Sequence, residues 1–353
     1  MTQDVYLRLR EFLDRMPGSY PATESGVEIK ILKKLFTPEE AELAMHLTPM
    51  PEPVAAIAGR TGMEKDALRA RLEAMARKGL LLRVRAGEEA FYSALSFVVG
   101  IYEFNLNTID RELAELFEEY LPHLGNVWKN VKTKPLRVVP IQSALPGGHA
   151  VASYEQIREL VKEKQLISVA PCICRKERTL VGGSCDRPAE RCIQFDLAAQ
   201  YYLENGMSRQ ISREELMDLL KMGEEKALVL CPTNAKEIMN ICLCCGCCCG
   251  LLRTLRKLER PAEQVANRFQ ARIDPDLCTA CGTCLERCQM DAIRQAGEVH
   301  EVETARCIGC GLCVPSCPVD AISMVEKPEP VSVPENMIEM NLRTLEERGL
   351  PTG

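Results

Sequence analysis

The sequence lacks the motifs of the common nucleotide-dependent and hydrolytic enzymes. Its 353 residues contain no GxGxxG dinucleotide motif after a strand, no GxxxxGK[ST] phosphate-binding loop and no HExxH motif. Histidine is scarce, and the four that occur are His46, His123, His149 and His300. His149 follows Pro-Gly-Gly and is interpreted as an exposed loop residue. No flavin or nicotinamide site is recognisable. The sequence therefore contains none of the familiar motifs of catalysis.

Long apolar runs and a strong positive charge are also missing. No apolar segment approaches the roughly 20 residues of a membrane-spanning helix. The N-terminus lacks the basic-then-apolar pattern of a secretory signal. The formal net charge of −6 gives no overall case for binding nucleic acid or anionic lipid. We therefore expect a cytoplasmic protein without a membrane partner.

Cysteine is absent from residues 1–135 and abundant after them. Eleven cysteines fall in residues 136–265 and the other eight of the nineteen fall in residues 266–326. Bunched cysteines in a reducing compartment are typical of metal ligands rather than disulfides. These changes in cysteine content along the chain predict an N-terminal domain at 1–135, a Cys-rich domain at 136–265, a third domain at 266–326, and a linker with a C-terminal helix at 327–353. That helix is expected to pack back on the body.

The third domain contains one cysteine pattern twice. Both runs read CxxCxxCxxxC, and their members are Cys278, Cys281, Cys284 and Cys288, then Cys307, Cys310, Cys313 and Cys317. Residues 278–293 match residues 307–322 at 8 of 16 positions, which indicates a duplicated half-module. Three cysteines in a CxxCxxC loop can each reach a different iron of one cubane. Two zinc sites are the alternative, but zinc prefers cysteine pairs at longer separations.

Residues 272–326 resemble the bacterial-type dicluster ferredoxins. The resemblance implies two [4Fe-4S] clusters, each held by three cysteines of one run and the fourth of the other. Cluster I would take Cys278, Cys281, Cys284 and Cys317, and cluster II would take Cys307, Cys310, Cys313 and Cys288. Where the family has proline after the fourth cysteine, the first run has Gln289. We expect Gln289 to change hydrogen bonding at the nearby sulfur and to leave ligation intact.

The N-terminal region has the element order of a winged helix-turn-helix, which it resembles. Helices are predicted from Thr37-Pro38, at residues 53–60 and at residues 64–78, followed by strands at 80–85 and 90–93. Residues 53–85 carry a net charge of +5 from eight basic and three acidic side chains. That charge is compatible with phosphate contacts, but Glu88 and Glu89 occupy the predicted wing tip. Protein docking is favoured over DNA binding.

Two groups of cysteines mark the middle domain. The first consists of Cys172, Cys174, Cys185 and Cys192, and it predicts a third iron–sulfur cluster with zinc as the alternative. Five nearby basic residues would offset thiolate and cluster charge, namely Arg175, Lys176, Arg178, Arg187 and Arg191. The second consists of Cys231, Cys242, Cys244, Cys245, Cys247, Cys248 and Cys249. It predicts a fourth or shared cluster, with a redox-active thiol pair as the alternative. Gly246 and Gly250 should break the run into a turn, so that some thiols face a different site or pack as small apolar groups.

The middle domain followed by a ferredoxin resembles multi-domain dicluster iron–sulfur proteins of anaerobic prokaryotes, which implies electron transfer in the cytoplasm. We therefore expect an α+β protein with an α/β middle domain. Its function would be to shuttle low-potential electrons to or from an oxidoreductase partner, as a carrier or subunit rather than as a stand-alone enzyme. The alternatives are a redox- or oxygen-responsive winged-helix transcription regulator and an iron–sulfur reductase whose active cluster lies in the middle domain.

Overall fold

The computed structural model describes residues 4–134, 136–145, 156–183, 185–329 and 331–351. His149 lies outside these residues. The described chain is mixed α+β, with helices surrounding several small sheets. No helix within the described ranges is both long and apolar enough to cross a membrane.

The N-terminal region is a group of helices with one small sheet. Its elements are α1 (Val5–Asp14), α2 (Val27–Leu35), α3 (Pro38–Ala44), β1 (Glu52–Pro53), α4 (Val54–Thr61), α5 (Lys65–Arg77), β2 (Leu82–Ala86) and β3 (Glu89–Ser93). Thr37 and Glu40 form a reciprocal capping box at the start of α3. The strands form an antiparallel sheet in the order β1-β3-β2. Each helix and strand predicted for this region is present, with ends shifted by a few residues.

Two further helices extend the N-terminal core and connect it to the middle region. They are α6 (Tyr102–Phe104) and the long α7 (Arg111–Trp128). Buried rings of Tyr20, Phe97, Phe117 and Tyr120 pack at centroid distances of 4.7–5.6 Å. Trp128 is also buried, as expected for a packing residue. The long helix therefore anchors an aromatic core and contacts helices from the middle region.

The middle region is built on a five-stranded antiparallel sheet. Its elements are β4 (Leu136–Arg137), α8 (Ile157–Val161), β5 (Ile167–Pro171), α9 (Ile173–Leu180), β6 (Glu190–Phe195), α10 (Asp196–Glu204), β7 (Arg209–Gln210), α11 (Arg213–Glu225), β8 (Val229–Pro232), β9 (Asn240–Cys244) and α12 (Gly250–Arg256). The strand order is β7-β5-β6-β9-β8. Strand β5 ends just before Cys172, and Cys231 lies within β8. One apolar core continues from this sheet into the C-terminal region.

The C-terminal region consists of short strands around the two cysteine runs. Its elements are β10 (Val265–Ala266), β11 (Phe269–Ile273), α13 (Thr283–Arg287), β12 (Ile293–Ala296), β13 (Val299–Val302), β14 (Ile322–Glu326) and α14 (Met337–Glu347). The pairs β11–β14 and β12–β13 are antiparallel, and β10 pairs in parallel with β4. Leu345 of α14 is buried, and the Arg348 guanidinium donates to the backbone oxygens of Asp14 and Met16, each at 2.6 Å. The tail packs on the body, as predicted.

Candidate metal centres

The eight ferredoxin-type cysteines line two separate recesses. Cys278, Cys281, Cys284 and Cys317, here called the first ferredoxin set, line a recess with an empty volume of about 300 Å³. Cys288, Cys307, Cys310 and Cys313, the second ferredoxin set, line one of about 380 Å³. Each recess thus combines three cysteines of one run with the fourth of the other. This is the arrangement that the sequence predicts for two clusters.

Backbone amides point at sulfur atoms in both sets, and the duplication repeats the contact. The Ala292 N–H donates to Cys288 Sγ and the Ala321 N–H donates to Cys317 Sγ, both at 3.2 Å. These pairs are related by the 29-residue offset of the repeat. Amide donors stabilise thiolate ligands and tune the potential of an iron–sulfur centre. The cysteines that line the two recesses, and the amides that donate to them, are therefore suited to binding iron–sulfur clusters.

Gln289 makes a contact that the sequence does not predict. Its side-chain oxygen accepts a hydrogen bond from the Gly246 N–H at 2.8 Å, in the middle of the Cys245–Cys249 segment. The amide nitrogen of Gln289 contacts the Arg287 carbonyl at 3.4 Å. Gln289 joins the second ferredoxin set to the middle-region thiols.

Three cysteines form one row across the middle sheet. Cys192 of β6 lies opposite Cys242 of β9, and Cys242 lies opposite Cys231 of β8. Directly opposed residues in a sheet place their side chains on the same face. The Sγ atoms of Cys192 and Cys242 are 4.0 Å apart. Cys244 is two residues beyond Cys242 in β9 and therefore faces the same side.

Four more cysteines complete a larger group, in which the thiols interact with one another. Hydrogen bonding to Cys231, Cys242 and Cys249 raises the pKa of Cys244. Hydrogen bonding to Cys174 lowers the pKa of Cys249, and the same partner raises the pKa of Cys172. We call this connected set the seven-thiol group, and its members are Cys172, Cys174, Cys192, Cys231, Cys242, Cys244 and Cys249. Seven thiols are more than one cubane requires.

The remaining four cysteines of the middle region lie close together. We call Cys185, Cys245, Cys247 and Cys248 the tight thiol set, because their sulfur atoms all lie within 4.8 Å of one another. The Cys247 sulfur is 3.3 Å from that of Cys245, 3.6 Å from that of Cys185 and 3.8 Å from that of Cys248. Cys247 is exposed, whereas Cys245 and Cys248 are buried.

The ligand grouping predicted for the middle domain differs from the arrangement observed. The sequence groups Cys185 with Cys172, Cys174 and Cys192, but Cys185 follows the loop after α9 and joins the tight thiol set. Cys192 lies on β6 and faces the row that contains Cys242. The Cys242–Cys249 run divides between two groups of thiols, because β9 ends at Cys244 and the turn after it places Cys245, Cys247 and Cys248 in the tight thiol set.

Arg191 lies between the two middle-region thiol sets. It precedes Cys192 on β6, so strand alternation turns its side chain to the opposite face. Its Nη1 donates to Cys245 Sγ at 3.1 Å, and its charge also interacts with Cys172. The residue is 1% exposed, yet its Nε and Nη2 atoms have no hydrogen-bond partner in the described structure. Buried guanidinium donors need acceptors, and thiolates or cluster sulfides supply them, so the site fits an anionic metal centre.

A buried carboxyl group accompanies the seven-thiol group. Glu177 of α9 is fully buried, and the Tyr102 hydroxyl donates to one of its oxygens. Its other oxygen has no partner among the described residues. Burial raises the pKa of Glu177 to about 7, and Tyr102 also interacts with Cys174. Sequence reasoning missed both residues, because Tyr102 is about 70 residues from the nearest cysteine in the chain.

Only some of the basic residues near the thiols contact a sulfur atom. Arg187 Nη1 lies 3.5 Å from Cys247 Sγ, and Arg191 binds Cys245, as the sequence predicts for charge-offsetting groups. Arg178 instead pairs with Glu118 of α7 at 3.1 Å. The positive charge that faces the thiols is thus concentrated at the tight thiol set.

Comparison with known proteins identifies the C-terminal region. Residues 271–324 match the family described as 4Fe-4S dicluster domain. The chain contains an iron–sulfur, ferredoxin-like domain. This match covers the two ferredoxin sets and supports iron–sulfur clusters with an electron-transfer role. A search of curated proteins found no matching relative for the chain.

Proposed function

We propose that the protein is a multi-cluster iron–sulfur electron-transfer protein that exchanges low-potential electrons with an oxidoreductase partner. Bound iron–sulfur clusters supply one-electron chemistry over a wide range of potentials. The two ferredoxin sets would hold two [4Fe-4S] clusters, and the seven-thiol group would hold a further centre. The protein would act as a carrier or as a subunit of a larger oxidoreductase.

The observation that carries this proposal is the direct contact between the ferredoxin domain and the middle thiols. Gln289 adjoins Cys288 and binds the Gly246 amide, as described above. On the same side, the Ile141 N–H of the middle region donates to the Cys310 carbonyl at 3.1 Å. The second ferredoxin set therefore lies against the middle region, which is the arrangement expected if electrons pass between them.

The first ferredoxin set offers a surface for the redox partner. Cys281 is exposed, and apolar side chains near the set are exposed as well, with Leu277 at 50%, Leu285 at 40% and Val319 at 38%. Val319 lines the same recess as Cys281. Exposed apolar side chains that cluster together mark interaction sites. We propose that an electron-transfer partner docks at this surface.

Metal analysis of protein purified without oxygen tests the proposal. Two [4Fe-4S] clusters account for about eight irons per chain, with equal acid-labile sulfide. We expect more than that, together with a reduced-state electron paramagnetic resonance signal that survives Cys281→Ser. Eight irons or fewer, with no signal beyond those of the ferredoxin clusters, would remove the middle region from the electron path.

A specific connection favours a second candidate, a redox-responsive regulator. Strand β6, which carries Cys192, runs directly into α10. In α10, the Tyr201 hydroxyl donates to the Ala76 and Leu81 carbonyls at 2.8 and 3.1 Å. Glu204 of α10 pairs with Arg83 of β2 at 2.6 Å. A change at the seven-thiol group could therefore reach α5 and the neighbouring hairpin, which we propose form a winged helix-turn-helix.

The charges of that region favour a protein partner over DNA. Arg83 and Arg85 pair with Glu73 at 2.8 and 3.1 Å, and Arg60 pairs with Glu52 at 2.6 Å. These arginines contribute to the net charge of +5, but each is engaged in an ion pair within the chain. The surface available for phosphate contacts is correspondingly less positive.

Fluorescence anisotropy with a duplex from upstream of the protein's own gene distinguishes the two candidates. A carrier should show weak binding that is the same before and after cluster oxidation. Salt-sensitive, submicromolar binding that depends on the oxidation state and is lost in Arg69→Ala would favour the regulator. Arg69 suits this test because it lies exposed on α5 and is absent from the described ion pairs.

A further inference from the structure

The spacing of sulfur atoms in the tight thiol set fits one metal ion. Around a tetrahedral ion with metal–sulfur bonds of about 2.3 Å, the ligand sulfurs lie about 3.8 Å apart. The observed separations from Cys247 to its three neighbours are 3.3, 3.6 and 3.8 Å. A [4Fe-4S] cubane binds each thiolate through a different iron, so its four ligand sulfurs lie much farther apart.

The ferredoxin sets provide an internal comparison. Both surround recesses, of about 300 and 380 Å³, and neither gathers its four sulfurs within 4.8 Å of one another. Among the described residues, only the tight thiol set does so. The same chain therefore presents two kinds of four-cysteine arrangement, one with thiols spread around a recess and one with thiols close enough to share a single ion.

The electrostatics agree with a single divalent ion. Four thiolates around such an ion carry a net charge of about −2. Two guanidinium groups lie near sulfur atoms of the set, with Arg191 bound to Cys245 at 3.1 Å and Arg187 near Cys247 at 3.5 Å. A third, that of Arg175, donates to the Cys185 carbonyl at 3.1 Å. Arg191 is buried and retains unpartnered donors in the described structure. The positive charge around the set thus offsets the negative charge of the proposed centre.

The local backbone keeps the set compact. Cys245, Cys247 and Cys248 come from one turn whose central residue is Gly246. A Cβ atom on Gly246 would lie 2.8 Å from the Gln289 carbonyl oxygen, so a larger residue would not fit without movement. Cys185 reaches this turn from the loop after α9. Four thiols fill a tetrahedral coordination shell and leave no open position, which is typical of structural rather than catalytic sites.

We propose that Cys185, Cys245, Cys247 and Cys248 bind a single metal ion, zinc or iron, in tetrahedral thiolate coordination. The ion cross-links the loop after α9 to the turn after β9. It is distinct from the iron–sulfur clusters of the proposed function and does not depend on them.

Two matched variants test this assignment. Cys247 and Cys281 are the two exposed cysteines among the nineteen, and they belong to different sets. Zinc, iron and acid-labile sulfide are measured per chain in full-length protein purified without oxygen. Cys247→Ser should lose about one metal ion per chain and no sulfide. Cys281→Ser, the control, should lose iron and sulfide together and keep that ion.

The metal itself is identified by X-ray absorption of the unmodified protein, which does not require a variant to fold. A first shell of four sulfurs at about 2.3 Å at the zinc edge would identify zinc. About one iron per chain in excess over sulfide would identify iron. Loss of iron and sulfide in equal amounts from Cys247→Ser would overturn the proposal. So would the absence, in the unmodified protein, of both zinc and iron beyond the sulfide count.

Discussion

Replacing Gln289 by alanine tests the connection between the ferredoxin domain and the middle thiols. The Gln289 side chain is the acceptor for the Gly246 N–H at 2.8 Å, and both groups are buried. Alanine removes the acceptor and leaves a buried donor without a partner. Such a donor costs about 1–3 kcal/mol. We expect the turn that contains Gly246 to open more readily, by about 5- to 150-fold in its opening equilibrium.

Hydrogen–deuterium exchange under anaerobic conditions measures this opening directly. Global unfolding is a poorer assay, because loss of bound metal breaks two-state behaviour. Exchange in residues 245–249 should accelerate by the factor given above, while the iron content stays unchanged because Gln289 is not a ligand. Gln289→Pro, which installs the residue that the dicluster ferredoxins have there, should give the same result.

Gln295→Ala is the matched control. Gln295 is exposed on β12, and its amide donates to the nearby Gly297 carbonyl at 3.3 Å. The same chemical change at this position should leave exchange in residues 245–249 unaltered. Unchanged exchange in Gln289→Ala as well would refute the reasoning, because it would mean that the hydrogen bond to Gly246 contributes nothing to holding the turn.

Three other substitutions test separate parts of the structure. Gly309→Ala should lower the iron bound per chain, because Gly309 has a φ of +69° and the new Cβ would lie 2.2 Å from the Phe269 carbonyl oxygen. Gly297→Ala is the control, since Gly297 has a φ of +65° with open space around it, and this variant should keep its iron. Tyr201→Phe should speed deuterium exchange in residues 76–81 by about 5- to 150-fold, since two backbone carbonyls lose a donor worth about 1–3 kcal/mol. Arg348→Ala should speed deuterium exchange in residues 337–347, and unaltered exchange would argue against tail anchoring by this side chain.

The ferredoxin region could be predicted from sequence because its signal is local. A CxxCxxCxxxC run fixes which cysteines lie in one loop, and the duplication supplies the second loop. The recess lined by Cys278, Cys281, Cys284 and Cys317 has the composition expected from that pattern. The helices of the N-terminal region could also be predicted from sequence, because capping residues such as Thr37 and the apolar periodicity mark where they begin and end.

The middle-region sites could not be predicted in the same way, because their membership depends on strand pairing. Cys231, Cys192 and Cys242 meet only through the order β6-β9-β8, which no sequence spacing reveals. Cys185 looks like a neighbour of Cys174 along the chain, but the loop after α9 delivers it to the turn at Cys247. Assignment by proximity in sequence therefore placed Cys185 with thiols from which the structure separates it.

Strand alternation explains how one dense cysteine run serves two centres. Cys242 and Cys244 face one side of β9, and the turn after the strand sends Cys245, Cys247 and Cys248 to the other set. Arg191 binds Cys245 of the tight thiol set, and its charge interacts with Cys172 of the seven-thiol group. An ion in the tight thiol set would therefore fix the position of Arg191 against the seven-thiol group. Through the Gly246–Gln289 hydrogen bond, it would also fix the second ferredoxin set. A single structural metal ion would thus determine the spacing of the iron–sulfur centres around it.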